Sequence, residues 1–222
     1  MSEVGEKQHA SDEEAAKEVL WKHRIEIVTT LIMAITAIAI AWSSYQAALW
    51  GGEQSTNYSK ASSKRVESVR SSLTGYQAVI VDLILFTDWI DAVSTDNQAK
   101  ADFLKTRMRT EMEPALNDWL ATDPFNDPAA PSMPFYLDSY RVSQLEEATK
   151  LEEEAAEFFE LAQVANQHGD EYVLNTVWLA SVLFFAGIAT RFKARGVQVA
   201  ITILAASLLV IGLANLATLP IA

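Results

Sequence analysis

Three stretches of the sequence, 27–52, 172–190 and 196–222, contain no Asp, Glu, Lys, Arg or His. At about 1.5 Å per residue a helix of any of these lengths crosses the roughly 30 Å hydrocarbon layer of a bilayer. A chain with three such segments has lipid as a main solvent, and in lipid a segment that spans must satisfy its backbone internally. The predicted class is therefore an all-α membrane protein with three transmembrane helices and a long antiparallel, coiled-coil-like helical insert between spans one and two. The segments divide into a polar tail over 1–24, span one over 25–50, the helical domain over 51–171, span two over 172–190, a basic loop over 191–196 and span three over 197–219.

Charge orients these segments. Lys22 and Arg24 precede the first span, and Arg191, Lys193 and Arg195 join the second to the third. Under the positive-inside rule both flanks are cytoplasmic, so the insert and the C-terminus are extracytoplasmic. The first span reads as an uncleaved signal anchor, because its polar leader and its apolar run are both long for a cleaved signal. The net charge of −12 comes from the insert, where 53–171 holds 22 acidic and 10 basic residues. That sign argues against a nucleic-acid partner, which needs clustered Lys and Arg. With no cysteine, disulfides and thiolate chemistry are excluded.

Small residues mark where helices meet. In span one Thr30, Ala34, Ala37, Ala41, Ser44 and Ala48 alternate spacings of four and three, a stripe that lets another helix approach closely in lipid. The same register runs on through Ser55, Tyr58, Ser62, Val69, Tyr76 and Leu83, which predicts one long helix from about Glu26 to Ser94 with Gly51, Gly52 and Gly75 as weak points. A second helix is expected from an N-cap at Thr95 or Asp96 to about Ala121. Four prolines between 124 and 134 then impose an irregular loop. A third helix, expected from Asp138 or Ser139, has a heptad seam of Ala148, Ala155, Ala162 and Gly169 beside Leu151, Phe158, Ala165 and Tyr172, running straight into span two. Residues 1–20 read as a disordered tail.

Sites for chemistry are weak. The glutamates from Glu146 to Glu160 fall between seam positions and read as a solvated face, and Asp123, Asn126 and Asp127 read as turn residues. Asp82, Asp88 and Asp91 read as one helical face rather than a catalytic pocket. Asn175 and Asn215 are the amides inside spans two and three, and interhelical hydrogen bonding is their expected role. No enzyme motif, cofactor site or metal site is expected, and without an ionisable group in any span an active transporter is disfavoured.

The segments WSSYQAALWGGEQS (42–55), WLATDP (119–124) and VLFFAGIATRF (182–192) resemble those of a group of uncharacterised bacterial membrane proteins with one span, a helical insert and a two-span hairpin. That resemblance implies the bacterial cytoplasmic (inner) membrane as location and carries no catalytic residues. Three functions are open. The first is a non-enzymatic scaffold or interaction subunit that assembles through small-residue faces, as a homo-oligomer or with another membrane protein. The second is an extracytoplasmic sensor that signals through a partner. The third is a passive oligomeric channel with Thr30, Ser44 and Asn175 facing a pore.

Overall fold

Proline is absent before residue 114, and residues 2–94 form one helix in the computed structural model, which describes residues 2–222 with side chains from 17 onward. This helix, α1, is Ser2–Ser94. The remaining helices are α2 (Gln98–Lys105), α3 (Glu113–Ala121), α4 (Ser143–Ala189) and α5 (Arg195–Thr218), with 3-10 turns at Thr110–Met112 and Pro134–Tyr136. No strand occurs among the described residues. Three of the helices, α1, α4 and α5, are long and apolar enough to cross a membrane, with mean hydropathies of 2.1, 1.8 and 2.4 over their most apolar windows.

The expected disordered tail is instead the start of α1. Its Glu, Lys, Gln and Ala residues are strong helix formers, and low hydrophobicity alone does not prevent a helix. Gly51, Gly52 and Gly75 do not break α1 either. Gly75 is a site of close approach: a Cβ added there would lie 2.6 Å from Leu145 Cδ2 and 3.2 Å from the Leu145 backbone nitrogen.

The chain forms two units, one of residues 1–57 with 160–222 and the other of residues 58–159. In the first unit the core is Ile32 and Ala39 of α1, Leu179, Val182 and Ala186 of α4, and Ala205 and Leu209 of α5. α1 and α4 are tied there by Gln54 Nε2 donating to Asn166 Oδ1 (2.6 Å), and α1 and α5 by Trp50 Nε1 donating to the Pro220 carbonyl (3.1 Å).

In the second unit an aromatic cluster forms the core. Phe86 and Trp89 of α1 pack with Ala101, Met112, Leu116 and Trp119, and the Trp119 and Phe135 rings meet Phe86 edge-on. Ser68 Oγ and Ser71 Oγ of α1 donate to the carbonyls of Ala148 and Gln144 on α4, both at 2.8 Å. α2 is capped by Asn97, whose side chain accepts from Lys100 N, and the chain turns beforehand through Asp96 at a φ of 56°. The expected single second helix is broken at Lys105. Pro114 favours a fresh start in the first turn of α3, and Arg109 is drawn into extended backbone by a partner on α1 described below.

Candidate interaction faces

The face of span one that packs inside the chain is Ile25, Thr29, Ile32, Thr36, Ala39, Ser43 and Gln46, all buried. Thr30, Ala34, Ala37, Ala41, Ser44 and Ala48 lie beside it and are all exposed. The expected stripe is therefore not the seam within the chain. Residue size does not decide the matter. Thr29 and Thr36 return their hydroxyls to the carbonyls four residues earlier in their own helix, at 2.9 and 2.6 Å, whereas Ser43 accepts from Asn175 across the helix interface. The exposed stripe carries hydroxyls of its own at Thr30 and Ser44, so polarity alone does not separate the two faces, and the cross-helix contact at Ser43 does.

Most of the heptad positions of α4 are buried. Ala148, Ala155 and Ala162 are buried, as are Leu151, Ala165 and Tyr172, while Phe158 and Gly169 are half-buried. A Cβ on Gly169 would meet Trp50 Cβ at 3.7 Å and the Ala47 carbonyl at 3.8 Å, so the glycine marks a close approach of α1. The buried positions continue at Asn175, Leu179, Val182 and Ala186 with the same alternation of three and four.

The amides of the second and third candidate spans, Asn175 and Asn215, are brought together. Asn215 Nδ2 donates to Asn175 Oδ1 (3.3 Å), and Asn175 Nδ2 donates to Ser43 Oγ (3.2 Å), so one relay ties all three candidate spans. Beside it a Cβ on Gly212 would come within 2.8 Å of Leu179 Cδ2, which keeps α5 close to α4. Asn175 is fully buried whereas Thr30 and Ser44 are exposed, so these three residues do not share one lining within the chain. Just past the C-terminus of α5, the Pro220 carbonyl accepts from Tyr172 Oη (3.1 Å).

The basic flanks also converge. Lys22, Arg191 and Lys193 line one cavity of about 690 Å³ together with Glu18, Glu26, Thr29 and Gln198. Lys22 pairs with Glu18 (2.9 Å) and holds that carboxyl below its usual range, with a smaller contribution from Arg195. Gln198 closes this end by accepting from Trp21 Nε1 (3.3 Å) and donating to the Phe192 carbonyl (2.7 Å). Arg24 is exposed and lies outside the cavity lining.

Asp82 stands apart from Asp88 and Asp91, because it is fully buried while they are exposed. Its carboxylate accepts from Arg109 Nε (3.0 and 3.2 Å) and Nη2 (2.6 Å), and from Tyr140 Oη (2.9 Å). Burial, then the hydrogen bond to Asp82 and its charge, push the Tyr140 hydroxyl well above the usual tyrosine range. This one carboxylate accounts for two departures from expectation. It holds Arg109 out of helix before α3, and it holds Tyr140 in the loop so that α4 starts at Ser143 rather than near Asp138. No spacing rule links residues 82, 109 and 140, and sequence reasoning missed the node.

The other acidic groups serve local structure. Glu154 pairs with Lys64 (2.7 Å), Glu152 with Arg65 (3.6 Å) and Glu146 with Arg141 (2.8 Å). Asp123 accepts from Asn126 Nδ2 (2.8 Å) and Asp127 Oδ1 accepts from Ala129 N (2.9 Å), which is turn chemistry. Among the described residues no group of three His, Asp or Glu is arranged to hold a metal ion. No protein-family description, curated protein or solved structure matches this chain.

Proposed function

We propose that this chain is a non-enzymatic integral membrane scaffold that assembles with further copies of itself through the small-residue face of span one. The observation that carries this reading is the exposure of Thr30, Ala34, Ala37, Ala41, Ser44 and Ala48 next to a face already occupied by α4 and α5. Lipid gives no apolar driving force for helix association, so a bare stripe of small side chains gains most by letting a second backbone approach within dispersion contact. The basic flanks favour a cytoplasmic N-terminus in a bacterial inner membrane, with 51–171 as an extracytoplasmic antiparallel helical insert. The neutrality of the three spans argues for assembly rather than coupled transport.

The test is the mass of the complex in polymer nanodiscs taken from the native membrane, for the unmodified chain and for Ala37→Leu with Ala41→Leu. Two added isobutyl groups wedge the face apart, so the oligomer should fall toward a single copy. An unchanged mass in the double variant would refute the face.

A further inference from the structure

The segment of α1 within the second unit carries an apolar stripe that none of the described residues covers. Val66, Val69, Leu73, Tyr76, Ile80 and Leu83 are each between 40 and 60 % exposed, and Ile84 beside them is 55 % exposed. Their spacings run three, four, three, four, three, which is a heptad seam with Val66, Leu73 and Ile80 at one core position and Val69, Tyr76 and Leu83 at the other. The opposite seam of the same helix, Ala61, Ser68, Gly75 and Asp82, is buried. Lipid does not account for the exposed stripe. The turns from Lys60 to Arg70 carry Lys60, Lys64, Arg65, Glu67 and Arg70, which are costly to place in hydrocarbon.

We infer that this stripe is the contact surface for a second copy of the chain, paired in parallel along α1. Area argues for that occupant. Tyr76 presents on the order of 150–250 Å² in full and the aliphatic side chains less, so the exposed part of the six, with Ile84 beside them, is on the order of 500 Å² of apolar surface per copy. That is within the range of the largest apolar patch of a typical monomer, about 300–600 Å², a size that is often functional. Two copies meeting on the stripe remove on the order of 1,000 Å², about what a biological interface needs. The seam is also self-complementary, since equivalent positions meet across a two-fold axis and each β-branched or aromatic knob finds its own kind opposite. Copies inserted in one membrane share an orientation, which selects the parallel arrangement. The inference deepens the scaffold reading by naming the partner and a second face, and it rests on that reading for self-assembly and for insertion of the copies in one membrane.

The absence of cysteine makes the test clean. Leu73→Cys and Ile80→Cys are made in the full chain, held in nanodiscs and oxidised with a copper catalyst. Equivalent core positions of a parallel pair come within the roughly 4.4–6.8 Å between Cα atoms that a disulfide needs, so both variants should cross-link to dimer. Thr74→Cys, exposed but off the stripe, should not. Leu73→Glu with Ile80→Glu should cut the dimer population at least tenfold with helix content unchanged, since neither side chain packs inside the chain. If Ala37→Cys cross-links and Leu73→Cys does not, the span-one face stands and this inference falls. Cross-linking of Leu73→Cys to a different protein also overturns it. If Leu73→Cys forms dimers while Ala37→Leu with Ala41→Leu leaves the mass unchanged, the span-one face falls and this one holds.

Discussion

Replacing Arg109 by Ala tests whether Asp82 organises the second unit. In the intact protein a fully buried carboxylate accepts from Arg109 Nε and Nη2 and from Tyr140 Oη. Without Arg109 the folded chain keeps a buried carboxylate whose remaining side-chain donor is the Tyr140 hydroxyl. Removing one partner of a buried pair costs roughly 3–5 kcal/mol, because the other is left without its compensating charge. The assay is amide hydrogen exchange of α3 in nanodiscs, which reads local opening without requiring reversible global unfolding. Protection factors on Glu113–Ala121 should drop about a hundredfold or more, with each 1.4 kcal/mol counting for a factor of ten. Asp82→Leu combined with Arg109→Met removes both charges and should restore most of the protection. A loss below tenfold, or a double variant no better protected than Arg109→Ala alone, would refute the reasoning.

The glycines of α1 should respond with opposite signs. Gly52→Ala, with nothing within 4 Å of the added Cβ, should stabilise by about 0.5–1 kcal/mol, whereas Gly75→Ala meets Leu145 and should destabilise by about 1–3 kcal/mol. Denaturant unfolding of the two variants in the same detergent checks this, and equal shifts would contradict the packing at Gly75. Asn175→Val cuts the relay between Ser43 and Asn215 and should cost about 0.6–2 kcal/mol, read as a lower SDS fraction at the unfolding midpoint. Asn215→Val removes one link instead of two and should cost less.

The sequence by itself determined which segments are free of charge and what period the helices follow. Charge-free runs define three helices able to span a membrane, because a charged side chain cannot sit cheaply in hydrocarbon and its absence is visible without any contact. The Ala148–Ala155–Ala162–Gly169 seam was legible because one helix carries both the small residues and their heptad. Helix α1 was legible to its C-terminal end, since no proline interrupts it.

Tertiary structure decided which face is used and where helices stop. Span one has two adjacent periodic faces, and choosing between them required knowing that Asn175 stands opposite Ser43, a pair separated by 132 positions. The ends of the middle helices depend on Asp82 reaching 27 positions ahead to Arg109 and 58 to Tyr140. Local propensity is a matter of tenths of a kcal/mol per residue, whereas leaving that buried carboxylate without its partner costs several, so the long-range contact overrides the local preference. Periodicity identifies a face, and only the folded chain shows whether that face is already covered.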